Sequence, residues 1–251
     1  MWDSHTGTHI ATLEHASRMT SLEFLASGQL VSGKDDGQIL VWDTVTGSRV
    51  RTVNAHGRAI LRLSASQSKL ASASCDKTVR VWDTATWECT CTFECGDKVR
   101  SVALYPNGDR VAACTGETLY VWNIATLQLI ASKDIINCYA VAVSNDGKWL
   151  AVGSFNSTSL YNASTLDCTW SYDSRSSSVS FSRDSSQLMF ANDLAGKVSL
   201  IDVQTGNRIK SFKHSWVRRA IFSHDGTRVL SGESRSVPLS SSHSHPPTSF
   251  R

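Results

Sequence analysis

The sequence predicts an all-β chain of small four-stranded sheets stacked about an axis, and three observations carry that expectation. A large apolar residue followed by Asp or Asn recurs on a fixed beat. Trp2-Asp3, Trp42-Asp43, Trp82-Asp83 and Trp122-Asn123 stand 40 residues apart, Tyr161-Asn162 follows after 39, and Ile201-Asp202 after another 40. Turn residues punctuate each period, as in Pro106-Asn107-Gly108, Asn145-Asp146-Gly147, Arg183-Asp184-Ser185 and His224-Asp225-Gly226. Short apolar or alternating runs fill the space between turns, and no stretch has helical periodicity. Self-similarity at a fixed period marks a repeat architecture. One such sheet is too small to hide both apolar faces, so neighbouring sheets must cover them.

The elements follow unit by unit. After each small-polar turn comes a short apolar run: Val111-Ala112-Ala113, Trp149-Leu150-Ala151-Val152, Leu188-Met189-Phe190-Ala191 and Val229-Leu230. An alternating run leads into each apolar-Asp step, as in Thr78-Val79-Arg80-Val81-Trp82. Turn residues follow the step: Thr46-Gly47, Thr86, Thr126, Thr165 and Thr205-Gly206. Asp and Asn close such turns by bonding nearby backbone. Each unit therefore reads as four strands of roughly five residues with turns about every ten. Residues 8–13 read as an outer strand with no unit in front of them. Residues 216–231 supply two strands of a sixth unit, but no apolar-Asp step appears near residue 242. The stretch 236–251 is rich in Ser, Pro and His, and it lacks the apolar residues that would offset its ordering entropy. The expected organisation is a repeat domain over 1–235 and a disordered tail over 236–251.

Composition narrows the class. The 251 residues are 41% apolar and 19% charged, enough to build a core, and the net charge of +3 calls for neither nucleic acid nor an anionic membrane. No segment approaches the roughly 18 apolar residues of a membrane helix. Seven cysteines, an odd count, follow a start that lacks a basic, apolar leader. A reducing compartment, cytoplasmic or nuclear, is the expectation. Asn156-Ser157-Thr158 and Asn162-Ala163-Ser164 are then chance glycosylation-like triplets.

The pattern resembles the WD40 (β-transducin-like) repeat family over about residues 1–235. The resemblance implies a β-propeller of four-stranded blades, five complete and a sixth partial. In that family a well-made blade carries His before the first strand, Ser or Thr in the second, Asp in the next turn and Trp in the third. Two units match: His15, Ser32, Asp36 and Trp42, and His56, Ser72, Asp76 and Trp82. A buried His or Asp left unpaired costs about 1–3 kcal/mol, so these sets read as structural rather than catalytic. Elsewhere Gly116 and Phe155 stand at the Asp place, Gly96 lies near the His place, and the unit ending at Ile201 has neither Trp nor an aligned Asp. Those blades are expected to rest on apolar packing. The ends admit two arrangements: the N-terminal strand closes the ring onto the sixth blade, or the chain is part of a longer propeller, usually of seven blades. The tail that abandons the repeat favours truncation.

Loops entering the innermost strands line one rim of a propeller, by resemblance. The aligned pairs are Arg18 and Thr20, Arg58 and Ile60, Lys98 and Arg100, Asn137 and Tyr139, Arg175 and Ser177, and Trp216 and Arg218. Six of the twelve are basic and none is acidic, so the expected rim is basic, with Tyr139 and Trp216 as aromatic anchors. Arg suits such a site because its planar fork grips carboxylate and phosphate in two bonds. Asp35 and Asp97 would partly neutralise it. The expected function is a non-catalytic protein-protein interaction scaffold that binds peptides or domains, acidic or phosphorylated segments among them. Alternatives are a sensor-region fragment of a larger NTPase-WD40 protein and a hydrolase on a propeller scaffold.

No catalytic residue, cofactor or metal is expected, and partners are other proteins rather than membrane or nucleic acid. Cys89, Cys91 and Cys95 lack a second ligand pair for zinc, and positions 89 and 91 share a face of the expected strand. No Gly-rich phosphate loop runs from a strand into a helix, and no Gly-x-Ser-x-Gly elbow occurs.

Overall fold

A computed structural model describes residues 1, 6–14, 17–213, 217–223, 226, 228–233 and 249–250. Among the described residues every regular element is a strand. The first sheet contains β1 (Met19–Phe24), β2 (Leu30–Lys34), β3 (Gln38–Trp42) and β4 (Arg49–Asn54). The second contains β5 (Ile60–Ser66), β6 (Lys69–Ser74), β7 (Thr78–Asp83) and β8 (Cys89–Glu94). The third contains β9 (Ser101–Leu104), β10 (Arg110–Cys114), β11 (Thr118–Asn123) and β12 (Leu129–Asp134). The fourth contains β13 (Cys138–Val143), β14 (Trp149–Ser154), β15 (Thr158–Asn162) and β16 (Cys168–Tyr172). The fifth contains β17 (Ser178–Phe181), β18 (Gln187–Asn192), β19 (Lys197–Asp202) and β20 (Arg208–Lys213). The sixth contains β21 (Val217–Phe222), β22 (Val229–Glu233) and the short β23 (Ser249–Phe250).

Sequence order is spatial order in every sheet. Among the described residues five sheets are complete blades and the sixth has three strands. The chain divides into two compact units, Met1–Thr115 with Val121–Ile130, and Gly116–Tyr120 with Ala131–Arg251.

The 40-residue beat has a local physical cause. In each complete blade the Asp or Asn after the apolar residue turns its Oδ1 onto the backbone of the next turn. Asp43 accepts from the N–H groups of Val45 (2.9 Å) and Thr46 (2.7 Å), and Asp83 from those of Ala85 (2.9 Å) and Thr86 (3.0 Å). Asn123 accepts from Thr126 (2.8 Å), Asn162 from Ser164 (2.8 Å) and Thr165 (3.1 Å), and Asp202 from Thr205 (2.8 Å). One residue further on, the backbone is left-handed at Gly47, Trp87, Leu127, Leu166 and Gly206. The strand register also shifts at the apolar residue itself, at Trp42, Trp82, Tyr161 and Ile201. Such a bulge re-aims the side chains that follow. It also separates Cys89 from Cys91. Cys89 pairs with Trp82 and is exposed, whereas Cys91 pairs with Val81 and is buried, so the two do not share a face.

Packing between blades is apolar, with a few polar stitches. In the first unit Ile39, Val41, Leu63, Leu70 and Trp82 belong to one cluster. In the second, Leu160, Phe181, Leu188, Phe190 and Ile201 form another. Serines of inner strands reach the next blade: Ser21 Oγ accepts from the Leu63 N–H (3.1 Å), and Ser64 Oγ from the Leu104 N–H (3.0 Å). An aromatic clamp on β16 holds the fifth blade. Trp170 Nε1 donates to the Val203 carbonyl (2.9 Å), and the Tyr172 hydroxyl donates to the Gly206 carbonyl.

The ends differ from expectation. Residues 8–13 do not form a strand; among them only His9 makes a bridge. The segment instead folds back on itself, with the Ile10 N–H on the Met1 carbonyl (3.0 Å), while Met1 and Leu13 cover Leu30, Leu40 and Trp42 of the first blade. Trp2 and Asp3 lie outside the described residues. So does most of the tail expected to be disordered. The exception is Ser249–Phe250, which pairs with Leu230 and Val229 as β23.

Two substitutions test this backbone reading. At Gly37 the backbone is left-handed, and an added Cβ would stand 2.1 Å from the His56 carbonyl oxygen. Gly37→Ala is expected to lower stability by about 2 kcal/mol or more. Leu127 holds a left-handed φ with its side chain 56% exposed. Leu127→Gly should raise stability, by up to about 1 kcal/mol. Chemical denaturation of both variants gives the two signs.

Candidate functional site

In each complete blade the chain turns four times, and the antiparallel order sorts the turns into two ends. The first-to-second and third-to-fourth connections lie at one end and carry the Asx-closed turns. The second-to-third connection and the entry to each first strand lie at the other, which is the expected rim.

At that end the second blade is organised by a continuous hydrogen-bond chain. Trp82 Nε1 donates to Ser72 Oγ (2.9 Å), Ser72 Oγ meets His56 Nε2 (2.7 Å), and His56 Nδ1 meets Asp76 Oδ2 (2.8 Å). The network assigns the proton of a neutral imidazole to Nδ1, facing the carboxylate. Thr78 Oγ1 donates to Asp76 Oδ1 (2.7 Å), and the Gly57 N–H lies 3.3 Å from Asp76 Oδ2. Burial holds the imidazole below its ordinary value of 6.5, opposed by the Asp76 charge and hydrogen bond. Burial alone would raise Asp76, but hydrogen bonds from Thr78 and the contact with His56 outweigh it and leave the carboxyl below 3.8. The set ties the loop entering β5 to the turn after β6. Two residues beyond His56, the Arg58 carbonyl is anchored by Ser74 Oγ (3.1 Å). The buried His56 and the half-buried Asp76 are partnered to one another and position that loop.

The matching set in the first blade is only partly seen. Trp42 Nε1 donates to Ser32 Oγ (2.9 Å), as Trp82 does to Ser72. His15 lies outside the described residues. Asp36 pairs with Lys34 (2.7 Å) and accepts from Ser17 Oγ (3.3 Å) and the Gln38 N–H (3.1 Å). Neither interaction with Lys34 or Ser17 was foreseen from the sequence.

The rim residues divide by unit. In the first, Arg18, Arg58 and Lys98 stand 40 residues apart and all three are exposed. Among the described residues no carboxylate lies within ion-pairing distance of any of them. Their loops are fixed: the Arg18 carbonyl accepts from the Asp35 N–H (3.1 Å), and the Val99 N–H beside Lys98 donates to the Ser74 carbonyl (3.0 Å). Asp35 and Asp97 are exposed at the same end. Arg100, just ahead of β9, is only half-exposed and its Nε is buried, so it does not continue the row.

In the second unit the expected basic anchor is already used. Arg175 lies between the rings of Tyr139 (5.1 Å) and Phe155 (5.0 Å). It pairs with Asp193, Nε to Oδ1 at 2.8 Å, and Nη2 donates to Oδ2 at 3.1 Å. Arg175 therefore cannot serve as an open anion site, and half-buried Tyr139 is its platform rather than a free anchor. Asp193 stands in the turn after β18, where no Asp had been aligned. Arg218 is exposed and its carbonyl accepts from Ser177 Oγ (3.1 Å), whereas Trp216 lies outside the described residues.

Metal chemistry finds little material. Among the described residues no group of three His, Cys, Asp or Glu could hold a metal ion. Burial pushes the Cys95 thiol up to about 12, so it stays protonated and unreactive. No helix of the described residues is long and apolar enough to cross a membrane.

Repeated four-stranded blades, with Asx-closed turns at one end and variable loops at the other, define a propeller-type repeat scaffold. The chain belongs to the WD40 repeat family: residues 7–43, 47–83, 87–123 and 127–159 match the family described as WD domain, G-beta repeat. No curated protein matches it. WD40 repeats are generally protein-interaction scaffolds, and the family is typically non-enzymatic.

Two measurements probe the polar set. Ser72→Ala removes the partner of both Trp82 Nε1 and His56 Nε2, and should cost roughly 1–3 kcal/mol per orphaned group. The depressed His56 value has a definite sign. Below 6.5 the unfolded chain takes up the proton before the folded one, so stability falls as pH drops from 6.5 toward the folded value and is flat above it. Denaturation across that range should show a shallower decline for His56→Gln than for the parent chain.

Proposed function

We propose that the chain is a non-catalytic scaffold whose first unit engages acidic or phosphorylated segments of other proteins through Arg18, Arg58 and Lys98. One observation carries the reading: three cations at one position of three successive repeats, exposed and without a carboxylate partner among the described residues. Loops that carry ligand-binding residues are best held by a rigid base, and the His56 set and the Ser74 contact supply it for Arg58. Planar guanidinium groups on a fixed row suit carboxylate and phosphate oxygens.

The test is binding of an arrayed set of phosphorylated and unphosphorylated acidic peptides by the parent chain and by Arg18→Glu/Arg58→Glu/Lys98→Glu. Binding should prefer the phosphorylated or acidic members and weaken as salt rises. The triple variant should lose roughly tenfold or more, about 1.4 kcal/mol. Unchanged affinity in that variant, with an unchanged melting temperature, removes the reading.

A further inference from the structure

The second unit presents a different surface at the same end of its sheets. Ile136 precedes β13 and is 70% exposed, Phe155 follows β14 and is 43% exposed, and Leu194 follows β18 and is 68% exposed. These are large apolar side chains on fixed loops. The Phe155 N–H donates to the Asn137 carbonyl (2.9 Å), joining the loop that carries Ile136 to the one that carries Phe155. Arg175 lies on the Phe155 ring and pairs with Asp193, the neighbour of Leu194. The three apolar tips thus sit on one connected framework whose central charge is cancelled internally. Exposed apolar groups gathered this way, rimmed by polar residues, mark interaction sites.

Charge changes sign across the patch. Asp134 ends β12 and Asp173 follows β16, on the side of Ile136 and Phe155. Lys197 opens β19 and Lys213 ends β20, directly opposite each other in register, on the side of Leu194. All four are exposed, and none makes an ion pair among the described residues. Two like charges paired across strands are unfavourable, and an anionic group arriving from outside would relieve them.

We propose that this rim docks a partner segment that is apolar at its centre, basic at one end and acidic at the other. The apolar centre covers Ile136, Phe155 and Leu194. The basic end meets Asp134 and Asp173, and the acidic end meets Lys197 and Lys213. The site uses none of Arg18, Arg58 and Lys98 and takes a different chemistry.

Three synthetic peptide families with the same Leu/Phe centre test it: one basic at one end and acidic at the other, one acidic at both ends, one basic at both. Fluorescence anisotropy should show the first family binding at least tenfold tighter than the other two. Ile136→Ser/Leu194→Ser should lose at least tenfold with an unchanged melting temperature, since both tips are mostly exposed. Asp134→Lys/Asp173→Lys should move the preference to peptides acidic at both ends. No binding by the first family, or equal binding by all three, overturns the proposal. So does a concentration-dependent dimer that Ile136→Ser/Leu194→Ser abolishes, which would assign the patch to a second copy. Arg18→Glu/Arg58→Glu/Lys98→Glu should leave this binding intact, so failure here and failure of the phosphopeptide reading are separable.

Discussion

Each blade of this chain has two apolar faces, and a sheet of four short strands can cover neither by itself. In the second blade, Leu63, Leu70 and Trp82 point into a cluster shared with Val31, Ile39 and Val41 of the first. Val79 and Val81 alternate with Trp82 along β7 and are equally buried. At about 25 cal/mol per Å² of apolar surface removed from water, burial of this kind against a neighbouring blade helps offset the entropy of ordering the sheet. The gradient within each blade follows. β2, β6, β10, β14 and β18 are buried almost throughout, while β4, β12 and β20 are mostly exposed.

Once faces are committed to neighbours, only the two ends of the sheets remain free to vary. One end is spent on geometry. Its turns are closed by Asp43, Asp83, Asn123, Asn162 and Asp202, whose oxygens hold backbone N–H groups that would otherwise compete with the outer strand. The other end carries chemistry that differs between the units. The first presents cations on pinned loops with no carboxylate partner among the described residues, and the second presents apolar tips around an internally neutralised Arg175. Neither arrangement perturbs the repeat, which is why one scaffold can host both.

The repeat itself was legible because its cause is local. An Asx-closed turn needs an Asp or Asn at a fixed offset from a buried apolar residue, and that pair is visible in the sequence. The His56 set was expected only through the family resemblance, which supplies the offsets of its members. What sequence reasoning missed depends on contacts between blades. Arg175 looks like the basic residues of earlier repeats, and only the fold brings Asp193 and the Phe155 ring to it. Phe155 reads as a departure from a motif and hence as weakness, although it is exposed at the rim, and Leu194 carries no signal in the sequence. Trp170 and Tyr172 lie on an outer strand, where the pattern predicts little, yet their polar atoms hold the turn of the next blade. Residues 8–13 have strand-like content, but Met1 and Leu13 find a better surface on Trp42 than an unpaired strand could offer.

Hydrogen exchange read along the chain by mass spectrometry tests the central claim most directly. If five blades bury each other's faces, protection should peak in β2–β3, β6–β7, β10–β11, β14–β15 and β18–β19, five maxima about 40 residues apart, with faster exchange in the outer strands between them. A protection profile without that period, or with its slowest amides in the outer strands, would contradict the account.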